Sequence, residues 1–195
     1  MEELVIRSLD GDRDAFTQLI KLIDVDLYRV ANAKLENIED INDAIQETIL
    51  IGYKSIQNLE EPKYFKTWII KILINECNKI YKQNKRKIGI FEELTSDNDF
   101  IMNEDINLLN IENKLDLENF FKFLNYDEKI AIILFYDCNY TLPEVAKLLK
   151  TSTNTIKSRI KRAKQKMRKY YKGGVEKNET AGKKWKPKFL PKQKY

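Results

Sequence analysis

Residues 140–167, YTLPEVAKLLKTSTNTIKSRIKRAKQKM, constrain the fold of this chain more than any other segment. Thr141 can cap a helix, Pro143 suits the first turn, and Glu144 stands at the third helical position, where a capping box needs a carboxylate. The apolar residues that follow form one face of a short helix. The segment therefore predicts a short helix with a well-defined start.

A tight turn and a second helix follow this short helix. Lys150 and Thr151 form the turn, at a position where a residue that tolerates left-handed backbone is favoured. Ser152 or Thr153 can then cap a longer helix. A short helix, a tight turn and a longer basic helix are typical of the helix-turn-helix unit, which presents its second helix to the major groove of DNA.

The second helix carries one sign of charge. Between residues 150 and 172 there are ten Lys or Arg and no Asp or Glu, which favours an anionic partner. At about 100° per residue, one side is apolar and is predicted to pack inward: Ile156, Ile160, Ala163, Met167 and Tyr170. The opposite side holds the candidate DNA contacts: Lys157, Ser158, Lys161, Arg162 and Gln165. Arg159 lies on the flank, and we expect it to pair with Glu144 rather than to read bases.

Charge is segregated along the whole chain. The net charge is +5, yet residues 63–87 carry eight Lys/Arg against one acid, and residues 91–119 carry nine acids against one base. The basic helix and then residues 173–195, with seven Lys and two Glu, follow. Two basic bodies separated by an acidic segment predict two nucleic-acid contact regions joined by a linker.

Composition excludes several classes of function. The 195 residues include no His and two Cys, Cys77 and Cys138, so a zinc site of Cys and His and a triad with a His base are excluded. Both Cys are expected to be buried and unpaired. We expect no enzyme activity, no catalytic or metal-binding residue and no cofactor.

No apolar run reaches the roughly 20 residues of a membrane span, and the first residues lack a signal-peptide pattern, so we expect a cytoplasmic protein.

Helical periodicity dominates the rest of the sequence, and Pro and Gly are scarce (4 and 6). Four helices are predicted in the first half, at about 11–23, 25–37, 40–56 and 63–84, with Asp10 or Asp12 as a cap. Four more are predicted at about 115–124, 126–137, 141–149 and 152–171. The fold class is therefore all-α, with two small helical domains: an N-terminal helical bundle and a C-terminal helix-turn-helix domain.

Two of the N-terminal helices carry unusual exposed faces. On the third, an apolar residue, Leu50, shares a face with acids and an amide, which suits protein docking. The members of this face are Asp43, Gln46, Glu47 and Leu50. On the fourth, a basic and amide-bearing stripe follows aromatic residues, a combination that suits unstacked bases. The stripe consists of Lys71, Asn75, Asn78 and Lys82, and the aromatics are Tyr64, Phe65 and Trp68, of which the last two are expected in the core.

Together these segments resemble the extracytoplasmic-function (ECF) sigma factors, the promoter-recognition subunits of bacterial RNA polymerase. The matching segments are GDRDAF, DINDAIQETIL, FKTWIIKILINECNK and the helix-turn-helix segment, in this order. The resemblance covers residues 8 to about 171. It implies partners: the core RNA polymerase, promoter DNA and, commonly in this family, an anti-sigma factor.

The resemblance also implies domains and roles. Residues 1–87 would form a region 2-like domain, 88–114 an acidic linker and 115–172 a region 4-like domain. Residues 173–195 lie outside the resemblance, and their Gly pair, two Pro and scattered Lys predict a basic tail that is disordered in isolation. Contacts with the −35 element would come from Thr155, Lys157, Ser158, Lys161, Arg162 and Gln165. Contacts with the −10 element would come from Leu59, Glu60, Tyr64, Lys71, Asn75, Asn78, Lys79 and Lys82. The polymerase would be bound by Asp43, Gln46, Glu47 and Leu50.

Two departures from the family pattern and two other readings stay open at this point. Leu59 stands where an aromatic is often found, and Lys150 where Gly is often found. A stand-alone helix-turn-helix regulator, with residues 1–85 for dimerisation, would bind palindromic duplex without polymerase. A protein-binding helical adaptor would show little salt-dependent affinity for DNA.

Overall fold

The computed structural model describes residues 1–87 and 120–175, and the secondary structure of these ranges is helical, as predicted. The chain divides into two compact units, Met1–Leu94 and Thr95–Tyr195. The predicted linker 88–114 and residues 176–195 of the predicted tail lie outside the described residues. The finer domain boundaries stay predictions.

Within residues 1–87, the first unit contains four α-helices: α1 (Glu2–Leu9), α2 (Arg13–Lys34), α3 (Ile38–Ser55) and α4 (Phe65–Lys87). Two 3-10 turns, Ile56–Asn58 and Pro62–Tyr64, join α3 to α4. Asp12 caps α2 by accepting a hydrogen bond from the backbone N–H of Ala15 at 3.0 Å. This N–H and the guanidinium of Arg7 both lower the pKa of the Asp12 carboxyl, the N–H most strongly.

Two sequence-based expectations were wrong in this unit. The helices predicted at 11–23 and 25–37 form one continuous helix, α2, because no Gly or Pro interrupts the chain between them. Helix α1 was not predicted. It is short and mostly polar, and its buried residues are only Val5 and Ser8, so periodicity alone gives a weak signal.

Helix α3 packs against α4 through a buried, mainly apolar stripe. Ile41, Ala44, Thr48 and Gly52 are buried along it. A Cβ added at Gly52 would lie 2.5 Å from the Cδ1 atom of Ile69 on α4. The absence of a side chain at Gly52 therefore allows the two helices to approach closely.

The second unit contains α5 (Tyr126–Ile132), α6 (Leu142–Leu148) and α7 (Thr153–Val175). Residues 120–122 are also helical, and a π-helical turn, Ile133–Asp137, follows α5. One buried cluster of this unit joins side chains from all along the described segment: Phe120, Leu124, Ile132, Ala163 and Met167. Helix α7 continues to Val175, two residues beyond the predicted start of the tail at 173.

The helix-turn-helix pattern is confirmed in detail. The Glu144 carboxylate accepts hydrogen bonds from the backbone N–H and the hydroxyl of Thr141, both at 2.7 Å, which closes the predicted capping box. Lys150 has φ +51°, the left-handed conformation expected for the turn. The N–H groups of Lys150 and Thr151 bond to the carbonyls of Lys147 and Ala146, a Schellman motif that ends α6.

Candidate nucleic-acid and polymerase interfaces

The exposed face of α7 is the one predicted to contact DNA. Lys157, Ser158, Lys161, Arg162 and Gln165 are all exposed. On the other side, Ile156, Ile160, Ala163 and Met167 are buried, and Tyr170 is half-buried. The helix therefore packs through its apolar side and presents a basic surface to solvent, as its periodicity predicted.

Thr155, at the start of α7, differs from the rest of this face. It is half-buried, its backbone N–H donates to the Ser152 hydroxyl at 3.0 Å, and the two hydroxyls lie 2.8 Å apart. Ser152 is thus the helix cap, one of the two residues predicted for this role. The Thr155 side chain takes part in the cap, so its hydroxyl reaches DNA only if it exchanges this bond.

The predicted pairing of Arg159 with Glu144 was wrong. Arg159 donates instead to the carboxylate of Asp127 on α5, with Nη2 and Oδ2 2.5 Å apart. Glu144 is held by Thr141, and these hydrogen bonds lower the pKa of its carboxyl. The expected structural role of Arg159 agrees with its position on the flank, but its partner belongs to another helix.

Glu128 on α5 was not singled out from the sequence. Its carboxylate is buried, with 2% of the side chain exposed, and it lies 2.8 Å from the Lys166 ammonium and 4.0 Å from Nε of Arg162. The pattern Asn125-x-x-Glu128 is a recognisable capping box. That pattern could have identified Glu128 as a helix-start residue, but not as the partner of two cations on α7.

The docking face predicted on α3 is exposed along its length. Asp43, Gln46, Glu47 and Leu50 all point away from the core, and 44% of Leu50 is accessible. An apolar side chain therefore stands at the surface among two carboxylates and one amide. This arrangement can bind a partner that offers an apolar pocket with a polar or basic rim.

The stripe predicted on α4 is also exposed. Lys71, Asn75, Lys79 and Lys82 are exposed and Asn78 is half-buried. Lys79 pairs with Glu76 on the same helix at 3.2 Å. A shallow depression of about 420 Å³ runs along the stripe, and the sequence reasoning missed two of the residues that line it, Gln83 and Arg86.

The loop between α3 and α4 presents some of its predicted contacts and hides one. Tyr64 is 50% exposed and Glu60 is exposed, but Leu59 is only 8% exposed. Leu59 therefore packs into the core, and the prediction that it contacts DNA does not agree with its burial. Lys63 pairs with Glu61 at 2.6 Å and lies 4.8 Å from the centre of the Tyr64 ring. The hydrogen bond and charge of Glu61 raise the pKa of Lys63.

The core aromatics and cysteines lie close to their predicted positions. Phe65 is fully buried, whereas Trp68 is half-buried. Cys77 and Cys138 are buried, as expected. Across residues 1–87 and 120–175, no three Cys, Asp or Glu side chains are grouped so that they could hold a metal ion. In the same part of the chain, no helix has the length and apolar character needed to cross a membrane.

Two parts of the chain match known families. Residues 19–87 match the family described as Sigma-70 region 2, and residues 123–167 match Sigma-70, region 4. RNA polymerase sigma factor SigV of Bacillus subtilis is 30% identical over 143 residues, which cover 73% of this chain and 82% of the relative. ECF RNA polymerase sigma factor SigM of Mycobacterium tuberculosis is 22% identical over 166 residues, 85% of this chain and 81% of the relative. The chain belongs to the ECF sigma factors of the sigma-70 family.

The fold of this sigma factor is also similar to a solved structure, that of the sigma factor RpoE in complex with the anti-sigma factor NepR from Bartonella quintana. The TM-score is 0.63 at 24% identity, with 80% of this chain and 96% of the other chain covered. Region 2 spans most of α2 and all of α3 and α4, and region 4 contains α5, α6 and most of α7.

Family membership decides between the alternatives that the sequence left open. The protein is a non-enzymatic transcription initiation factor that directs RNA polymerase to promoters. A stand-alone regulator and a protein-binding adaptor are set aside, because neither requires the paired regions 2 and 4. Which residues make each contact is a separate question.

Proposed function

We propose that α7 reads the −35 element of the promoter through the side chains at its exposed start. The observation that carries this proposal is the exposed basic face of α7, in a helix-turn-helix unit whose turn and caps are fully formed. Lys157, Lys161 and Arg162 supply donors for base edges or phosphates, and Ser158 and Gln165 add neutral hydrogen-bonding groups. Thr155 is assigned a supporting contact next to the cap.

The −10 element is assigned to the exposed stripe of α4 and to the loop before it. Ammonium groups attract the single-strand backbone, amides can bond to base edges, and an exposed aromatic ring can stack on a base. The proposed contacts are Glu60, Tyr64, Lys71, Asn75, Asn78, Lys79 and Lys82. Leu59 is assigned to the support of this loop, because it is buried.

The docking face of α3 is assigned to the polymerase core. Its exposed Leu50 would enter an apolar pocket, and Asp43, Gln46 and Glu47 would meet polar or basic groups around it. This mixture agrees with the usual anatomy of a transient interface, in which an apolar centre is surrounded by a polar rim.

Two further parts of the proposal concern the cellular setting. We place the protein in the cytoplasm, where RNA polymerase acts. An anti-sigma factor is a proposed partner, supported by the similarity of the fold to a sigma factor solved with one. Such a partner would suppress transcription by this protein in a dose-dependent way, and added excess of the sigma factor would restore it.

Run-off transcription with sequenced transcript starts tests the proposed function. Purified bacterial core polymerase is supplied with genomic DNA fragments, with and without this protein. We expect new starts that share two conserved elements upstream, one near −10 and one near −35. No new starts, together with tight binding of duplex DNA by the protein alone, would contradict the assignment of these faces.

A further inference from the structure

Glu128 joins the start of α5 to the basic face of α7. At the third position of α5 it completes a capping box: its N–H donates to Asn125 Oδ1 at 2.9 Å, and its Oε2 accepts from the Asn125 N–H at 3.3 Å. The same carboxylate receives the Lys166 ammonium at Oε2, 2.8 Å away, while Nε of Arg162 lies 4.0 Å from Oε1. One buried carboxylate thus serves as a helix cap and as a counter-charge for α7.

Arg162 lies farther from Glu128 than Lys166 does: 4.0 Å between Nε and Oε1 is the distance of an ion pair without a hydrogen bond. Nε is the atom that faces Glu128, and 60% of the Arg162 side chain is exposed. When a carboxylate lies beside the Nε atom of an arginine, the two Nη groups remain at the outer end of the side chain. Guanine offers the acceptors O6 and N7 on its major-groove edge, and a pair of guanidinium N–H groups can bond to both. The two Nη groups of an exposed arginine such as Arg162 therefore suit this base.

Lys166 makes a buried acid compatible with a DNA-binding surface. A lone carboxylate close to a polyanion would repel it, and burial of an unpaired charge is unfavourable. With the ammonium of Lys166 at 2.8 Å, the charge of Glu128 is balanced inside the protein. Of Glu128, Lys166 and Arg162, Arg162 is the residue that extends toward solvent.

We propose that Glu128 is a positioning residue for promoter recognition, which attracts the guanidinium of Arg162 from the Nε side across 4.0 Å and so favours a conformation in which the Nη groups address a guanine of the −35 element. Restraint before binding reduces the entropy that a long side chain loses when it forms its hydrogen bonds. This inference rests on the proposed reading of the −35 element by α7.

A matched pair of substitutions separates this role from capping. Glutamine can also occupy the third position of a capping box, so Glu128→Gln keeps the cap and removes the charge. Glu144→Gln makes the same change in the capping box of α6, where the described hydrogen bonds of the carboxylate go to Thr141. Any effect that is common to both variants reports on capping alone.

The test uses holoenzyme reconstituted from core polymerase and the full-length chain. Run-off transcription is measured on promoters whose −35 element is changed one base pair at a time, and Arg162→Ala identifies the position at which guanine preference is lost. We expect Glu128→Gln to reduce the guanine preference at that position by about three- to tenfold, and Glu144→Gln to leave it unchanged. In the Arg162→Ala background, Glu128→Gln should have no further effect on this preference.

Other results of this test would contradict either the positioning role of Glu128 or the proposed reading of the −35 element by Arg162. A Glu128→Gln variant that keeps its full guanine preference, or that lowers transcription equally from all promoters, overturns the positioning role. If Arg162→Ala changes the preference at no −35 position, the proposed reading of this element by Arg162 is itself wrong. Should Glu128→Gln fail to fold, Glu128→Asp replaces it: this keeps the charge but withdraws it by one methylene, and the same loss of preference is expected.

Discussion

Arg159 of α7 and Asp127 of α5, 32 residues apart in sequence, form an ion pair with 2.5 Å between Nη2 and Oδ2. The Arg159 side chain is mostly covered, whereas Asp127 is about half exposed. The pair ties the N-terminal half of α7 to the first turn of α5, the helix that precedes the helix-turn-helix unit. It also removes one of the ten cations of this segment from the set available to DNA.

Arg159→Ala should therefore lower the stability of the second unit without changing which bases are read. We expect a loss of about 1 kcal/mol, the usual size for a hydrogen-bonded pair that is partly exposed. Chemical denaturation measures the stability, and run-off transcription on −35 variants measures the base preference. Asp127→Asn is the matched control for loss of the ion pair, and a shifted base preference in Arg159→Ala would show that Arg159 contacts bases in the native chain.

Leu50→Glu should weaken binding to core polymerase. The substitution places a charge where the proposed interface buries an exposed leucine, and removal of a central apolar contact typically costs about 2 kcal/mol or more. Affinity for core polymerase can be measured by fluorescence anisotropy with the labelled full-length chain. Leu22→Glu is the control, since Leu22 is 59% exposed on α2 outside the proposed face. Equal losses in the two variants would contradict the assignment.

The α4 stripe should show two kinds of contact with single-stranded DNA. Lys82→Ala should weaken binding of the holoenzyme to a −10 non-template oligonucleotide and reduce the salt slope by about 0.7, because one phosphate contact is lost. Asn75→Ala should weaken binding but leave the slope unchanged. The measurement is affinity over a series of salt concentrations, with Lys21→Ala on α2 as the control. A slope that stays unchanged in Lys82→Ala would exclude a phosphate contact.

The sequence predicted the helix faces well because the period of an α-helix is local. The apolar stripe of α7, the exposed position of Leu50 and the left-handed turn at Lys150 each follow from residues a few positions apart. Helix ends were less reliable: a break was predicted near residue 24, although no Gly or Pro stands there, and α2 continues without interruption.

Contacts between helices were the part that sequence reasoning could not supply. On sequence grounds, several acidic residues could have paired with Arg159. Its partner in the structure, Asp127, is determined by how α5 crosses α7. Glu128 and Lys166 meet across 38 residues for the same reason. Leu59 is buried in the loop between two 3-10 turns, and no periodic pattern describes such a loop.

The capping box of α6 should make the stability of the second unit depend on pH. Hydrogen bonds from Thr141 lower the pKa of Glu144, so its contribution is fully present above the ordinary glutamate value of about 4.3 and is lost as pH falls through the lowered value. The stability difference between the native chain and Glu144→Gln should therefore shrink between about pH 5 and pH 3. Denaturation followed by circular dichroism over this range measures it.

Thr141→Val is the control for this pH dependence. It removes the hydroxyl donor but keeps the carboxylate, so the pKa of Glu144 should return toward its ordinary value and the pH-dependent difference should become smaller. If the native chain and Glu144→Gln lose stability in parallel throughout the acid range, the Thr141 contact does not stabilise the charged form.

Cys77, on α4, should be inert in the folded protein and become a probe of the first unit when the packing of α4 is disturbed. Burial raises its pKa to about 12, so at pH 8 only about one thiol in ten thousand is ionised.

Gly52→Val should speed the alkylation of Cys77 by iodoacetamide. A Cβ at position 52 would lie 2.5 Å from Ile69 Cδ1, and overpacking typically destabilises by about 1–3 kcal/mol. The rate is measured in single-cysteine variants by mass spectrometry, with Cys138, buried in the second unit, as the reference thiol. If Cys77 reacts in the native chain as fast as in the Gly52→Val variant, close packing at Gly52 does not protect it.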